Sequence, residues 1–205
     1  MGVDVWHMRK QKEVVSEVIS SESDSWEILK KEISTCELCS LHQTRTQTIF
    51  GVGDPNADWL FIGEAPGKDE DAQGEPFVGR AGRLLNEMIF SLDLCREEIF
   101  IANILKCRPP NNRDPKASEV DQCFSYLEQQ VQFIEPKIII AVGKVAAQNL
   151  LGTDQTMSQL RGRVHYFGAI KIPLVVFYHP AYLLRSPSQK PKAWQDLILA
   201  KQMIS

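Results

Sequence analysis

Residues 59–67, WLFIGEAPG, pass from a continuous apolar run into a short loop of small and polar residues. Three later runs have the same apolar, β-branched character and cover residues 99–105, 138–142 and 174–178. Strands that are apolar along their whole length are typical of parallel sheets with both faces covered by helices. The four runs therefore predict a parallel sheet at the centre of an α/β domain.

Helical patterns fill the segments between these runs. They cover residues 80–92, 116–133, 144–151 and 193–203. Pro115 precedes the second pattern and Gly152 follows the third, as expected of residues that begin and end helices. With 205 residues and 43% hydrophobic content, the chain is long enough to form one domain with a sizeable core.

The N-terminal residues differ from the rest of the chain. Residues 1–31 are charged and helix-prone, with an apolar stripe between residues 14 and 19. We predict a helical extension over residues 1–31 and a single domain over residues 32–205. The sequence shows neither a signal peptide nor a membrane-spanning stretch, so we expect a cytoplasmic protein with no membrane partner. The net charge of −3 argues against bulk coating of nucleic acid but allows a local basic groove.

Four cysteines form the most specific pattern in the sequence. Cys36 and Cys39 make a C-x2-C pair, and Cys107 and Cys123 follow as C-x15-C. Because cytoplasmic thiols stay reduced, this spacing indicates a metal or iron–sulfur site and not disulfides. Zinc and a [4Fe–4S] cluster both accept four thiolates, so the spacing leaves that choice open. The fifth cysteine, Cys95, lies in an apolar, helix-like stretch and is predicted to be buried and inert.

The unusual polar residues follow the predicted strands, where parallel sheets bind their ligands. They lie in GEAPGKDED at 63–71, NILKCRPPNNR at 103–113, VGK at 142–144 and HPAYLLRSP at 179–187. Glu64 and Asn103 end apolar runs, and a buried amide such as that of Asn103 needs partners. Each stretch also has a plain structural interpretation: a tight turn after the first strand, and a core histidine for His179.

Together these motifs resemble the family 4 uracil-DNA glycosylases, iron–sulfur members of the uracil-DNA glycosylase superfamily. The resemblance rests on GEAPGKDEDAQGEPFVGRAG, NILKCRPPNNRDP and HPAYLLR, in order, and on the four cysteines. It implies a three-layer α/β/α sandwich with a four-stranded parallel central sheet. It also implies a [4Fe–4S] cluster as cofactor, held by Cys36, Cys39, Cys107 and Cys123.

The resemblance assigns roles to the pocket residues as well. The catalytic positions are Glu64, Asn112 and His179, where Glu64 would hold the attacking water and His179 would hydrogen-bond uracil O2. The substrate-binding positions are Ala65, Glu70, Phe77 and Asn103. Phe77 would stack on the uracil ring, and Asn103 would read its Watson–Crick edge.

The DNA-binding positions implied by the resemblance are Leu183, Leu184 and Arg185. The two leucines would fill the stack that the flipped base leaves, and Arg185 would hold the neighbouring phosphate. The expected partner is uracil-containing DNA, single- or double-stranded, bound by a monomer. The expected reaction gives free uracil and an abasic site.

We expect a monofunctional enzyme, because strand-cutting glycosylases need an amine nucleophile and no lysine falls at the matched pocket positions. Lys106 is interpreted as a phosphate contact or a solvated side chain, and Lys144 as pointing to solvent or DNA.

Three other functions stay open. A relative that traps DNA covalently would need a basic insertion, which the sequence lacks between Pro66 and Pro76. A non-catalytic iron–sulfur nucleic-acid binder is disfavoured by the presence of Glu64, Asn103 and His179. A nucleotide-binding α/β protein with zinc is disfavoured because no phosphate-binding glycine motif follows a strand.

Overall fold

A six-stranded sheet lies at the centre of the computed structural model, which describes residues 22–204. Its strands are β1 (Val52–Gly53), β2 (Trp59–Gly63), β3 (Phe100–Asn103), β4 (Ile138–Val142), β5 (Val164–Phe167) and β6 (Ile172–Phe177). The order across the sheet is β1-β3-β2-β4-β6-β5. The four inner strands run parallel, whereas β1 and β5 pair antiparallel at the two edges.

The α/β class is therefore confirmed, but the predicted sheet of four strands is wrong, since the sheet is mixed and has six. The two edge strands have little apolar signal to reveal them. β1 is only two residues long, and three of the four residues of β5 are not buried. An edge strand is covered by sheet on one side only, so it needs no continuous apolar run.

Eight α-helices accompany the sheet in the described part of the chain. They are α1 (Glu22–Thr35), α2 (Lys68–Gln73), α3 (Arg80–Phe90), α4 (Ala117–Ile134), α5 (Lys144–Leu151), α6 (Met157–Leu160), α7 (Pro180–Arg185) and α8 (Lys190–Gln202). Between residues 22 and 204, none is both long and apolar enough to cross a bilayer.

Two hydrophobic clusters cover the two faces of the sheet. Along β2, Leu60 and Ile62 belong to the cluster with α4 and α5, whereas Trp59 and Phe61 belong to the cluster with α3, α7 and α8. This alternation follows from the pleat of a strand, in which successive side chains point to opposite faces. The sheet thus lies between two helical layers.

The predicted boundary between residues 31 and 32 falls inside α1. This helix packs against α4, and its Leu29 and Ile33 are buried. Trp26 meets the rings of Phe50 and Phe100 edge-on, at centroid distances of 4.9 and 5.6 Å. Residues 22–35 are therefore part of the domain, and the predicted stripe between residues 14 and 19 lies outside the described residues.

The carboxyl ends of the parallel strands meet at one edge of the sheet. Gly63 and Asn103, the last residues of β2 and β3, lie opposite each other in register. The pairing continues past them, because Leu105 N donates to Glu64 O at 3.0 Å. The loops after β2 and β3 therefore begin side by side, as the ligand-binding rule for parallel sheets requires.

Candidate active site

A cavity of about 600 Å³ opens at this edge of the sheet. Eight of the predicted site residues line it: Glu64, Ala65, Glu70, Phe77, Asn103, Asn112, His179 and Arg185. They come from three segments that are distant in sequence, at or after the carboxyl ends of β2, β3 and β6. The fold thus brings together the three polar stretches that contain them.

Asn103 presents the most unusual polar atom of the cavity. Its side chain is buried, and its Oδ1 has no hydrogen-bond partner anywhere in residues 22–204. A buried acceptor left unpaired costs about 1–3 kcal/mol. The geometry depends on Gly63, where a Cβ would overlap Asn103 Oδ1 and lie 2.7 Å from the Phe77 ring. An unpaired hydrogen-bond acceptor therefore lies buried in a residue of the cavity wall, beside an aromatic ring.

The backbone of Phe77 adopts a strained conformation that places its ring at the cavity. Its φ of 54° lies in the left-handed region, which costs a non-glycine residue about 1–3 kcal/mol. Two neighbours support this conformation: Gly82 of α3 lies against the Phe77 carbonyl, and Arg96 Nη2 donates to Pro76 O. The Phe77 and His179 rings are 5.7 Å apart with planes inclined by 32°. The ring is thus preorganised at the wall of the cavity.

His179 is held as a neutral imidazole. It caps α7, and its Nδ1 accepts a hydrogen bond from Ala181 N at 3.1 Å. Burial lowers the pKa of His179 to about 4, the Arg185 guanidinium adds to this effect, and Glu70 opposes it. Because Nδ1 accepts, the proton of the neutral ring is on Nε2, which can donate a hydrogen bond.

Glu64 has the opposite perturbation. Burial raises the pKa of the Glu64 carboxyl to about 7, and the negative charge of Asp114 adds to the rise. Both side chains line the cavity. A carboxyl with a pKa near neutrality is what general-base chemistry or water positioning requires.

The Glu70 carboxylate joins two segments beside the cavity, one before α2 and one before α3. Its Oε2 accepts from Gly67 N at 3.1 Å, and its Oε1 accepts from Val78 N at 3.1 Å and Gly79 N at 3.3 Å. Both carboxylate oxygens are thus bonded to backbone N–H groups. Glu70 is placed to hold the loop that carries Phe77.

The loop after β3 brings Asn112 to the cavity. Asn111 and Asn112 have φ angles of 57° and 53°, a conformation that asparagine tolerates better than most residues. Asn112 Oδ1 accepts from Arg108 Nε at 2.7 Å, and Arg113 forms a bidentate ion pair with Glu119 at 2.6 and 2.9 Å. These contacts fix the rim of the cavity.

Lys68 and Asp114 also line the cavity and were missed by sequence reasoning. Both are loop or helix-end residues next to motif positions, where charged residues are usually solvated. Asp114 acts through tertiary proximity alone, since its charge raises the pKa of Glu64.

The predicted DNA contact of Leu183 is wrong. The segment is the helix α7 and not a loop, and Leu183 is fully buried in the cluster beneath α3 and α8. Leu184 is 37% exposed, and Arg185 lines the cavity. Since neighbouring helical residues point in directions about 100° apart, one leucine can be core while the next is at the surface.

The four predicted ligand cysteines line a second cavity, together with Arg45 and Tyr126. N–H groups point at two of the sulfur atoms: Arg45 Nη1 lies 3.2 Å from Cys107 Sγ, and Lys106 N lies 3.3 Å from Cys123 Sγ. Burial raises the pKa of the Cys123 thiol to about 11, so a thiolate there needs positive charge close by.

Two predictions about neighbouring residues are wrong. Cys95 is exposed, at the start of a short turn where its backbone N donates to Glu98 Oε2 at 2.7 Å. Lys106 is fully buried, so it can contact neither solvent nor a phosphate. Lys144 lies at the start of α5, beside a groove that also borders His179.

Comparison with known proteins places these features in a family. A family model described as the uracil DNA glycosylase superfamily matches residues 50–198. A type-4 uracil-DNA glycosylase of Archaeoglobus fulgidus is 44% identical over 84% of this chain and 90% of its own length. Another of Sulfurisphaera tokodaii is 42% identical over 84% and 82% of the two chains. A type-5 uracil-DNA glycosylase of Pyrobaculum aerophilum is 27% identical over 64% of each chain.

Proposed function

This chain belongs to the uracil-DNA glycosylase superfamily and to its type-4 members, and we propose that it removes uracil from DNA in base excision repair. The reaction hydrolyses the bond between uracil N1 and deoxyribose C1′ and leaves free uracil and an intact abasic strand. The observation that carries the proposal is the Oδ1 of buried Asn103, which has no partner among residues 22–204 and lies beside Phe77 and His179 in one cavity. The N3–H group of uracil supplies the missing donor.

Recognition of uracil follows from the donors and acceptors of the Asn103 amide. Its Oδ1 accepts the N3–H of uracil while its Nδ2 donates to O4, so one orientation satisfies both. Cytosine presents an acceptor at N3 and a donor at N4, which reverses the pattern and leaves both groups unpaired. The ring of Phe77 stacks on the base and keeps it in the plane of the amide.

Bond cleavage leaves negative charge on uracil and positive charge on the sugar, as in other glycosyl transfers. We assign His179 to the leaving group, since its Nε2–H can donate to O2 where the charge develops. Glu64 is assigned to the sugar side, where its carboxylate holds the attacking water and faces the sugar cation. Asn112 contributes to the position of that water, and the Ala65 backbone N–H faces the base.

DNA binding requires the target base to leave the stack, at a cost of a few kcal/mol. The exposed Leu184 is the side chain available to fill the gap, and Arg185 next to it can bind the neighbouring phosphate. Arg80 adds positive charge at the cavity, whereas the charge of Arg113 is paired with Glu119. One chain supplies all of these groups, so the proposal requires only a monomer acting on single- or double-stranded DNA.

We propose a [4Fe–4S] cluster as the cofactor, held by Cys36, Cys39, Cys107 and Cys123, which line one cavity. Within residues 22–204, no three Cys, His, Asp or Glu side chains converge closely enough to hold one metal ion. A zinc ion needs four ligands about 2.3 Å from a single point, whereas each thiolate of a four-iron cluster binds a different iron. Cys36 and Cys39 after α1, Cys107 after β3 and Cys123 in α4 would hold the cluster, which would thereby cross-link these three segments, and hydrolysis needs no redox step.

An excision assay tests the function directly. The protein is incubated with an oligonucleotide that carries one uracil, either single-stranded or paired, and with the same oligonucleotide carrying cytosine. We expect release of free uracil and an alkali-labile site in the first case only. Absence of uracil release from both forms of DNA would refute the proposal.

A monofunctional reaction predicts that borohydride traps no covalent protein–DNA adduct. Lys68 is the lysine among residues 22–204 that lines the cavity, so it is the amine to test. With Glu64 holding a water, no Schiff base is needed, and product strands should break only after alkali. A trapped adduct that disappears in Lys68→Ala would show instead that the sugar is attacked by the enzyme.

The pH dependence of the reaction should report Glu64. Because the carboxylate form holds the water, kcat/KM for uracil-containing DNA should rise as pH increases through about 7. His179 has a pKa of about 4 and stays neutral throughout this range. Asp114→Asn removes a negative charge that raises the Glu64 pKa, so it should move the rise to lower pH.

Asp69→Asn is the matched control for this shift. Asp69 also lines the cavity but is not among the charges that raise the Glu64 pKa, so the profile should stay in place. Equal shifts for both variants, or none for Asp114→Asn, would contradict the assignment.

A further inference from the structure

Lys106 is a buried cation for which the proposed reaction has no use. It is 1% exposed and does not line the active-site cavity. Its Nζ donates to Asn103 O at 2.8 Å and to Gln130 Oε1 at 2.5 Å. Burial of an ammonium group is unfavourable unless it makes such bonds, so these contacts call for an explanation beyond chain packing.

These bonds form where the pairing between β1 and β3 stops, at the first residue of β1. β1 pairs with β3 through Val52↔Ile101 and Gly53↔Phe100, and the same register would place Phe50 opposite Asn103. Strand β1 begins only at Val52, because Gly51 before it departs from extended strand geometry with a φ of 142°. The main-chain ladder therefore stops before it reaches Asn103.

Two side chains take the place of the missing ladder. Lys106 Nζ binds the Asn103 carbonyl, Gln130 Oε1 binds the same ammonium, and Gln130 Nε2 donates to Phe50 O at 2.8 Å. The order of contacts is Asn103, Lys106, Gln130, Phe50. On its other side Asn103 is held by β2, through its register with Gly63. The Asn103 backbone is thus supported by the main chain of β2 on one side and by the side chains of Lys106 and Gln130 on the other.

The same lysine is also attached to the cysteine cavity. Its backbone N lies 3.3 Å from Cys123 Sγ, its backbone O accepts from Ile49 N at 2.7 Å, and the residue lines that cavity. Lys106 therefore contacts both the cysteines and the strand end that carries the base-reading amide.

We propose that Lys106 is a positioning residue for base selection. Its bond to the backbone carbonyl of Asn103 sets the position of the Asn103 side-chain amide, and its own backbone is fixed beside the cysteine site. The inference rests on the proposed function and deepens it. The Asn103 side-chain amide is joined to this backbone by only two rotatable bonds, so a shift of the backbone at its carbonyl displaces the amide and changes both hydrogen bonds to the base. Such a shift affects uracil and cytosine differently, whereas a loss of global stability does not.

The test uses Lys106→Met in the full chain, purified with its cluster. Methionine keeps the length and apolar volume of the side chain but removes the three N–H donors. The affinity is measured for single-stranded oligonucleotides that carry 2′-fluoro-2′-deoxyuridine, a slowly cleaved uracil nucleotide, or 2′-fluoro-2′-deoxycytidine. Excision of uracil and the thermal midpoint are recorded for the same samples.

We expect the preference for the uracil nucleotide over the cytosine nucleotide to fall by about 10- to 100-fold, the range that one charge-assisted hydrogen bond covers. The visible absorbance of the cluster should remain. Asp196→Asn is the matched control, because Asp196 is also 1% exposed and accepts a bond from Arg161 Nε at 2.6 Å. It should lower the thermal midpoint and leave the preference unchanged.

Gln130→Leu provides a second variant that removes the other half of the side-chain connection. It should reduce the preference for uracil less than Lys106→Met does. If the wild type is active and both variants keep its preference for uracil, the role of Lys106 is overturned and the proposed function is not. An inactive wild type would overturn the proposed function and this inference with it.

Discussion

Asn103→Ala should lower the rate of uracil excision by about 10²–10³-fold, the loss seen when one preorganised donor is removed from a catalytic site. The variant loses both the acceptor for N3–H and the donor to O4, so the base is no longer fixed in the cavity. The side chain is buried and its Oδ1 has no partner within the chain described, so few internal contacts are lost. The measurement is single-turnover excision from a uracil oligonucleotide.

The control for this variant is Asn149→Ala. Asn149 donates from Nδ2 to Val145 O at 2.8 Å within α5 and does not line the active-site cavity. It should keep the excision rate of the wild type, and both variants should keep the absorbance of the cluster. Asn103→Ala with wild-type activity, or release of cytosine by the wild type, would contradict the assigned role of Asn103.

Cys107→Ala should destabilise the whole protein, because one of four ligands is lost and the cluster no longer links the segments around it. Loss of a metal site commonly costs about 4 kcal/mol or more, which corresponds to roughly 10 °C in the thermal midpoint of a chain of this size. Cys107 is buried, and its sulfur accepts from Arg45 Nη1 at 3.2 Å, so removal also costs that guanidinium one bond and leaves it the bond to Cys36 O at 2.7 Å. Iron content, sulfide content and the thermal midpoint are the measurements.

Cys95→Ala separates this effect from the loss of any cysteine. Cys95 is exposed and lies outside the cysteine cavity, so its replacement should change neither iron content nor stability. A soluble Cys107→Ala protein with full activity and an unchanged midpoint would rule out a structural role for the site. A colourless wild type that contains zinc would rule out iron–sulfur.

The inner strands were predictable because their signal is local. Trp59, Ile138 and their neighbours form runs that are apolar on both sides, which is a property of the sequence itself. The polar loops after these strands were predictable for the same reason, and the rule for parallel sheets then placed Glu64, Asn103 and His179 in one cavity. The edge strands carry no such signal, since one of their sides lacks a neighbour.

Roles within the predicted motifs were harder to assign from sequence. Leu183 and Leu184 are chemically identical neighbours, and only the helical turn of α7 decides that the first is core and the second is exposed. Cys95 has an apolar context in sequence but is exposed in space. Residue type and local pattern cannot distinguish such cases, because burial depends on what packs against each side of an element.

The sequence by itself determined the α/β class, the family and eight residues of the candidate site, because motif order and apolar runs are local properties of the chain. Only the tertiary structure decided how those residues act on one another. Asp114 raises the pKa of Glu64, and Lys106 supports Asn103, through contacts between segments whose spacing in space is not encoded in any one motif. The physical reason is that electrostatic and hydrogen-bond energies depend on distance and burial, which exist only once the chain has folded.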